Sequence, residues 1–319
     1  MSRLYENPWP HEVHRIADIF RWKFGLLPRE RAEIPAAPNE PAGWRKVARE
    51  DIAVVPEIGW RVVWLGHASF LLQGGGVSLL VDPVFADHCG PLPIPGLYRK
   101  VAVPCALAEL PKIDAVLLTH THYDHLDLRT LRALGKGMPV FIAEGHADWM
   151  RRKGFCEVRE LAWYGRLEVV PGVHVTSTPA QHFTARSPLD RNLGHWCGWL
   201  IEGAGCKLWH AGDSGWCPAF TEIGERFGPI DCGMIPIGAY QPRKIMKPMH
   251  MNPAEAVCAF QQSRCRRAVA MHWGTFQLTD EPLGEPPLLL AREIQKRSLA
   301  ADIFTAGRVG DIWDILPVT

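Results

Sequence analysis

Residues 119–125 constrain this chain more than any other segment, because they place four strong metal ligands within six positions. The segment reads Thr-His-Thr-His-Tyr-Asp-His, and its ligands are His120, His122, Asp124 and His125. Burying three imidazoles and a carboxylate without partners would cost several kcal/mol, and a metal ion supplies the missing partner. The preceding apolar run, residues 113–118, predicts a buried strand. The ligands therefore leave a strand end onto a loop that a rigid scaffold holds.

The spacing within this segment predicts two neighbouring metal ions. His120 and His122 are two positions apart, so their side chains point to one side of an extended chain. Asp124 and His125 can then turn to a second point. Imidazole and carboxylate suit zinc, iron, manganese or nickel better than calcium or magnesium.

Three more candidate ligands follow strand-like runs later in the chain. His182 comes after residues 173–177, Asp213 after residues 206–209, and His272 after residues 269–271. A single histidine at a strand end is more often an ordinary loop residue than a ligand. The series of three, each following the same kind of segment, predicts that all of them join one site.

The ligand order resembles that of the metallo-β-lactamase superfamily: H-x-H-x-D-H, then His, Asp and His. The flanking segments WLGHAS (64–69), LVDPVF (80–85), AGDSGWCPAF (211–220) and HWGTF (272–276) are similar to the N-acylphosphatidylethanolamine-hydrolysing phospholipase D family. The resemblance covers roughly residues 40–319. It implies an α/β fold, a four-layer αββα sandwich with the site at one edge between the two sheets.

Seven ligands in this order suit two divalent metal ions. We expect one ion at His120, His122 and His182, and a second at Asp124, His125 and His272. Asp213 would bridge them. The resemblance favours zinc, while iron, manganese and nickel fit the same donors. A water or hydroxide held between two such ions is a natural nucleophile, because coordination lowers its pKa towards neutrality.

Further residues are expected to act beside the metal ions. Asp124 would both ligate and orient the nucleophile, and the Tyr123 hydroxyl would donate to a substrate oxygen. His250 corresponds to a histidine near the phosphate in the phospholipase family, where it would stabilise a phosphoryl oxygen or protonate the leaving group. Asp82 would hydrogen-bond a ligand histidine and fix its orientation. Arg243 is a candidate phosphate partner, with a surface role equally open.

The resemblance implies hydrolysis of an N-acylphosphatidylethanolamine-like phosphodiester to an N-acylethanolamine and phosphatidic acid. Two alternatives stay open at this point. The same apparatus would serve a lactonase or another carbonyl-ester hydrolase of the superfamily, and a metal-binding or redox-sensing module would hold the ions without turnover. Specificity is expected to lie in the loops at residues 83–112, 183–196 and 240–252.

Charge and cysteine content exclude other classes of protein. The 35 basic residues nearly cancel the 34 acidic ones, leaving a net charge of +1 and no basic stripe for nucleic acid. The nine cysteines are scattered without a C-x-x-C pair, which is typical of free thiols in a reducing compartment. Without a signal peptide or an apolar stretch of 18 residues, the sequence predicts a cytoplasmic enzyme whose substrate is a small molecule or a phospholipid.

The chain divides into an N-terminal arm, residues 1–50, and a catalytic domain, residues 51–319. The arm is expected to hold one helix, whose apolar stripe consists of Val13, Ile16, Ala17, Phe20 and Phe24. This helix would either pack on the domain or contact a membrane peripherally. In the domain the sequence predicts a meander of strands over residues 60–81, further strands near 139–143, 167–170, 173–178, 197–202, 206–210, 231–236 and 269–271, and helices near 128–134, 146–153, 218–226, 253–262 and 288–297.

Overall fold

The structure, a computed structural model, describes residues 4–12, 16–26 and 30–318. Val13, predicted to belong to the apolar stripe of the arm, lies outside the described residues. In chain order the strands are β1 (Trp60–Gly66), β2 (Ser69–Gly74), β3 (Val77–Val81), β4 (Ala115–Leu118), β5 (Val140–Ala143), β6 (Val158–Leu161), β7 (Arg166–Val170), β8 (Val173–Thr178), β9 (Gly198–Gly203), β10 (Cys206–His210), β11 (Cys232–Pro236), β12 (Ala268–Met271), β13 (Phe304–Thr305) and β14 (Ile312–Ile315).

Eight α-helices accompany these strands within the described parts of the chain. They are α1 (Ile16–Lys23), α2 (Arg49–Ile52), α3 (Leu128–Leu134), α4 (Ala147–Arg152), α5 (Ala219–Phe227), α6 (Arg243–Met246), α7 (Pro253–Gln262) and α8 (Glu285–Lys296). None of the described helices is long and apolar enough to cross a lipid bilayer.

The strands form two mixed sheets of seven strands each among the described residues. The first runs β14-β1-β2-β3-β4-β5-β6, and the second runs β13-β12-β11-β10-β9-β8-β7. The β2–β3 connection is a tight hairpin, since Gly75 and Gly76 have φ angles of 58° and 77°, the left-handed backbone that a two-residue turn with matching twist requires.

Successive side chains of a strand point to opposite faces of the sheet, so the apolar residues of one strand pack in two different layers. Val62 and Trp64 of β1 point inward and pack in one cluster with residues of the second sheet such as Val175. Val63 and Leu65 point the other way, into a cluster that contains Leu131 of α3 and Met150 of α4, as expected for a strand whose two faces are both covered. The helices α5, α7 and α8 cover the second sheet from its outer side. This is the αββα sandwich that the sequence analysis predicted.

Strand direction brings the candidate ligands to one edge of the sandwich. In the first sheet β1 and β3 both run antiparallel to β2, and β4 runs parallel to β3. In the second sheet β8 and β10 both run antiparallel to β9, while β11 and β12 run parallel to β10. The carboxyl ends of β1, β3 and β4 therefore share one edge of the first sheet, and those of β8, β10 and β12 share one edge of the second.

The long predicted helices and strands are confirmed, whereas several short elements were not predicted. Helix α7 begins after Asn252, whose side chain accepts a hydrogen bond from the Glu255 amide. The strands β6, β13 and β14 and the short helices α2 and α6 were not predicted, and α6 lies within the predicted loop 240–252.

The N-terminal arm contains the predicted helix, α1 (Ile16–Lys23). The end of the arm is part of the folded body, because Val47 is completely buried in the outer cluster of the first sheet and Trp44 forms a β-bridge with Val309. The boundary at residue 50 stays a prediction.

Candidate metal centre

The seven predicted ligands converge at the shared edge of the two sheets. His120, His122, Asp124 and His125 follow β4; His182 follows β8; Asp213 follows β10; and His272 follows β12. His67, in the turn between β1 and β2, and His250, between α6 and α7, also reach this point. Residues more than 150 positions apart thus meet because each sheet ends its ligand-bearing strands at the same edge.

His120, His122 and His182 form the first group. Nδ1 of His122 lies 2.9 Å from Nε2 of His120 and 3.2 Å from Nε2 of His182. Three nitrogens that each lie about 2.0–2.1 Å from one zinc ion are roughly 3.3 Å apart in a tetrahedron. The spacing of the three imidazoles therefore fits a single shared ion.

Hydrogen bonds at the opposite ring nitrogens orient two of these imidazoles. The Nδ1 atom of His120 lies 2.9 Å from the Thr119 hydroxyl, which donates to Asp82 Oδ2 at 2.6 Å. Nδ1 of His182 lies 3.1 Å from the carbonyl oxygen of Met249. A ring that donates through Nδ1 presents the lone pair of Nε2 to a metal ion.

Asp124, His125 and His272 form the second group. Oδ2 of Asp124 lies 3.5 Å from Nε2 of His272 and 3.8 Å from Nε2 of His125. Nδ1 of His125 lies 2.7 Å from Asp82 Oδ2. Asp82 thus orients a ligand histidine, as the resemblance implied, and also holds the Thr119 amide.

Asp213 lies between the two groups. Its Oδ2 atom is 3.0 Å from Nε2 of His272, 3.1 Å from Nε2 of His125 and 3.7 Å from Nε2 of His182. The Asp213 side chain is almost completely buried. This is the position that a carboxylate bridging two ions would occupy.

The charges of the two groups differ. Burial is the main cause that lowers the pKa of His122, to about 4, and it also holds the pKa values of His120 and His182 well below their ordinary value. At His272 burial acts in the same direction, but Asp213 and Asp124 outweigh it and raise the pKa to about 9. The two histidines of the second group, which face Asp124 and Asp213, therefore hold protons that a metal ion would have to displace.

The residues present fit divalent metal ions. Within the described residues, Nε2 of His125, Nε2 of His272 and Oδ1 of Asp213 are buried without a hydrogen-bond partner. Buried polar atoms are nearly always satisfied, so these three atoms, all on predicted ligands, indicate a partner that the surrounding side chains do not supply with hydrogen-bond geometry. Imidazole and carboxylate donors match zinc, iron, manganese and nickel.

Three of the residues at this centre lie in the left-handed backbone region. His67, Asp82 and His272 have φ angles of 53°, 42° and 62°. A non-glycine residue in this region costs about 1–3 kcal/mol and persists where its surroundings hold it. Strain at one ligand and at two residues that contact ligands is typical of a functional site.

The two predicted catalytic residues outside the ligand groups occupy different environments. Nδ1 of His250 lies 4.0 Å from Asp213 Oδ2, inside the centre. The Tyr123 hydroxyl instead donates to the carbonyl oxygen of Arg186 at 3.1 Å, and the Arg186 guanidinium lies over the tyrosine ring. Its predicted contact with substrate stays a prediction, since in this arrangement the hydroxyl holds the loop at 183–196.

Arg243, the candidate phosphate partner, is engaged within the protein. Its guanidinium donates to both oxygens of Glu255, at 2.9 and 2.7 Å, and to the carbonyl oxygen of His250 at 3.0 Å. Arg243 therefore fixes the loop that carries His250 to the start of α7, and the phosphate-binding role is not supported.

A cavity of about 230 Å³ opens above the two groups. It is walled on one side by Asp124, Asp213 and His250. Its remaining walls are largely apolar and come from α1, from α6 and from the loops around them: Ile19, Trp22, Phe183, Ala239, Ile245, Met246, Met249 and Leu278. The helix of the N-terminal arm thus forms part of the wall of this cavity.

The arm is anchored to a predicted ligand. The Asn7 side chain donates to the carbonyl oxygen of His182 at 2.9 Å and accepts from its amide at 3.2 Å. Further along, the Trp22 indole donates to Asp280 and the Lys23 ammonium donates to the carbonyl oxygen of Leu278. The sequence analysis missed Asn7, Ile19 and Trp22, because nothing local links the arm to the site. It assigned no role to His67, although His67 follows a strand as the ligands do.

Comparison with known proteins agrees with this geometry. A model of the beta-lactamase superfamily domain matches residues 78–273. The chain is 35% identical over 272 residues to N-acyl-phosphatidylethanolamine-hydrolyzing phospholipase D 1 of Caenorhabditis elegans, which covers 81% of this chain and 76% of that protein. It is 36% identical over 231 residues to the mitochondrial N-acyl-phosphatidylethanolamine-hydrolyzing phospholipase D of Saccharomyces cerevisiae, which covers 70% of this chain and 49% of that protein.

Solved structures show the same fold. Igni18, a metallo hydrolase of the archaeon Ignicoccus hospitalis, superposes with a TM-score of 0.62 over 80% of this chain and 98% of its own, at 23% identity. The family match, the relatives and the cluster of imidazoles and carboxylates agree on the class of protein. This chain is a member of the metallo-β-lactamase superfamily, a metal-dependent hydrolase with N-acyl-phosphatidylethanolamine-hydrolysing phospholipases D among its relatives.

Proposed function

We propose that this protein is a phosphodiesterase of the phospholipase D type that cleaves N-acylphosphatidylethanolamine-like lipids at two divalent metal ions. The observation that carries the proposal is the position of His250. It stands beside Asp213, outside the two predicted ligand groups, and lines the cavity above them. The similarity to two phospholipases of this name supports the choice of substrate class.

The protein contributes donors, orientation and a cavity with largely apolar walls. His120, His122 and His182 would hold one ion, Asp124, His125 and His272 the other, and Asp213 would contact both. Bound ions supply a nucleophilic water at neutral pH and stabilise charge on the attacking and leaving oxygens. Asp82 and Thr119 keep the ligand rings in place, so the donors are preorganised before substrate arrives.

His250 would hydrogen-bond a phosphoryl or leaving-group oxygen. Burial lowers the pKa of its imidazole to about 3, against the opposing charge of Asp213. The ring is therefore neutral, and its Nδ1 atom is buried with no hydrogen-bond partner among the described side chains. A neutral ring still donates one N–H, which is sufficient for an oxyanion-type contact.

The size of the cavity favours a second candidate, a lactonase or another carbonyl-ester hydrolase. A volume of about 230 Å³ falls below the range of ~300–1,000 Å³ that is usual for pockets enclosing drug-sized ligands, while a second cavity of about 340 Å³, lined by His182, adjoins it at Phe183 and Met249. A small lactone fits such a space whole. A two-chain lipid would place only its phosphodiester and the adjoining groups there, with its chains leading outward past α1.

Parallel kinetics of wild type and His250→Ala on a phosphodiester lipid and on a lactone test the proposal. We expect the variant to lower the phosphodiester turnover number by roughly 10²-fold, the scale for one oxyanion-type donor. Lactone turnover should change much less, since the oxyanion of a carbonyl substrate would face the metal ions, and metal content should stay constant.

His174→Ala is the matched control, because it removes a partly exposed imidazole on β8 that lies outside the cluster. Wild-type turnover of lactones with none of phosphodiesters would contradict the proposal. So would an equal loss on both substrates in His250→Ala, or a loss that accompanies missing metal.

A further inference from the structure

His67 is buried at the metal centre but belongs to none of the predicted ligand groups. Its exposed fraction is 1%, and it lies in the turn between β1 and β2 with a φ angle of 53°. A residue held in this strained backbone region, beside a candidate active site, is a candidate for a specific role.

Both sheets fix the His67 backbone. Its amide donates to the Thr275 hydroxyl at 2.7 Å, and its carbonyl oxygen accepts from the His272 amide at 3.0 Å. The Trp64 indole donates to the same carbonyl oxygen at 2.9 Å. Because Thr275 and His272 follow β12 of the second sheet, His67 is tied directly to the loop that carries a predicted ligand.

The ring of His67 is directed at Asp124. Its Nε2 atom lies 2.9 Å from Asp124 Oδ2, and its centroid lies 3.9 Å from that of the His272 ring. An ionised carboxylate only accepts hydrogen bonds, so Nε2 carries the proton and donates it to Asp124. The same Oδ2 atom faces Nε2 of His272 and Nε2 of His125.

We propose that His67 is the positioning residue of the second metal ion: it donates a hydrogen bond to Asp124 and holds this carboxylate towards His125 and His272. It complements Asp82, which orients the imidazole of His125 within the same group. A carboxylate oxygen has a second lone pair for the metal ion while it accepts this bond. The inference depends on metal binding at Asp124, His125 and His272 and not on the proposed substrate.

Titration of the chelator-stripped full-length protein with Co²⁺ tests this role, with visible absorption and elemental analysis as readouts. His67→Phe removes the donor at similar size, whereas His67→Gln keeps an N–H donor at a comparable reach without a ring nitrogen to ligate. His146→Phe is the matched control, because His146 is a buried imidazole that donates to the His195 carbonyl oxygen, outside the metal groups.

In wild type and His146→Phe we expect two Co²⁺ per chain. His67→Phe should retain the first ion and bind the second about 10–100-fold more weakly, the usual effect of losing a partner that orients a ligand. His67→Gln should bind both ions as wild type does. If His67→Gln loses the second ion as His67→Phe does, His67 is a direct ligand and the positioning role is wrong. If His67→Phe keeps the second ion, His67 has no role in metal binding.

Two further outcomes are distinguishable. A wild type that binds one Co²⁺ would overturn the two-ion centre and, with it, this role of His67, whatever substrate the protein cleaves. If His67→Phe fails to fold, Thr275→Val replaces it, because that change removes the hydroxyl that fixes the His67 backbone and leaves all ligands in place. Thr275→Val should weaken the second ion selectively, and unchanged binding of both ions would contradict the proposal.

Discussion

The histidines of the centre differ in charge because each has a different set of neighbours. His125 and His272 face carboxylates, which raise their pKa values against the effect of burial. His120 and His182 face mainly other imidazoles, and burial together with those rings lowers theirs. One group is therefore neutral and ready to ligate, while the other must first release protons.

This difference predicts a pH dependence of the metal-free protein. The folded-state pKa of His272 is about 9, above its ordinary value of 6.5. A raised pKa stabilises the fold fully below the unfolded value, and this contribution is lost as pH rises through the folded value. The free energy of unfolding of chelator-treated protein should thus fall between pH 6.5 and about 9, as measured by denaturant titration.

Metal-loaded protein is the control for this measurement. Protons compete with the metal ion for His125 and His272, so metal affinity should rise over the same pH interval. A metal-free protein that gains stability as pH rises from 6.5 to about 9 would show that the two histidines are not protonated as proposed.

Asp124→Asn is the second prediction at this scale. An amide keeps the size of the side chain but removes the charge that faces His125 and His272. Its loss should cost several kcal/mol of barrier, or about 10²–10³-fold in the turnover number, with the fold retained by circular dichroism. Asp148→Asn, an exposed carboxylate on α4, should change nothing. Activity within a few-fold of wild type in Asp124→Asn would remove this residue from the mechanism.

Among the secondary structure elements, a local signal decided which ones the sequence could predict: the four-residue strands β4, β5 and β12 are fully buried apolar runs, whereas β6 and β14, of the same length, are not. Helix α7 has ten residues and its own cap, so local chemistry specifies it. Strand β14 has four residues and pairs with β1, some 250 positions earlier in the chain. Short edge strands such as β6, whose two central residues are exposed, show no clear alternation of apolar and polar residues. Such strands form because a neighbouring strand pairs with them.

Helix α1 supports a prediction about membrane contact. Ile19 and Trp22 face the cavity, while Phe20 and Phe24 of this segment are 57% and 72% exposed. We propose that this exposed face meets the lipid surface from which the substrate enters. Since burying one phenylalanine is worth about 1.5–3 kcal/mol, a Phe20→Ser, Phe24→Ser double variant should bind phospholipid vesicles at least about tenfold more weakly, as measured by vesicle sedimentation.

Val54→Ser is the matched control for the vesicle experiment. Val54 is 74% exposed, but it follows α2 and lies outside the segment that carries Phe20 and Phe24. Turnover of a small water-soluble phosphodiester should be unchanged in the double variant. Unaltered vesicle binding would leave α1 as a wall of the cavity with no membrane role.

At the scale of the whole molecule, two facing sheets create the centre, and this predicts its metal content. Protein purified without chelator and supplied with zinc, iron and manganese should contain about two ions per chain, because the donors form two groups with Asp213 between them. Elemental analysis of the purified protein measures this directly. One ion or none after supplementation would contradict the two-ion centre, while the superfamily membership would stand.

The sequence by itself determined the candidate ligands and the class of fold. The seven candidate ligands could be selected because they lie in short segments that follow apolar strands, a local pattern that needs no tertiary information. Residue order then led to the superfamily, and the confirmed strands and helices are those that show an apolar run, a hydrophobic period or a cap of their own.

Only the tertiary structure decided how the residues are grouped and which further side chains belong to the site. Asn7 and His182 are 175 positions apart, and His67 and Asp124 are 57 apart. No local pattern links such residues, because their contacts form only when distant segments of the chain pack together in the folded protein. Ligand chemistry is a property of residue type, whereas positioning and cavity shape are properties of packing between distant segments.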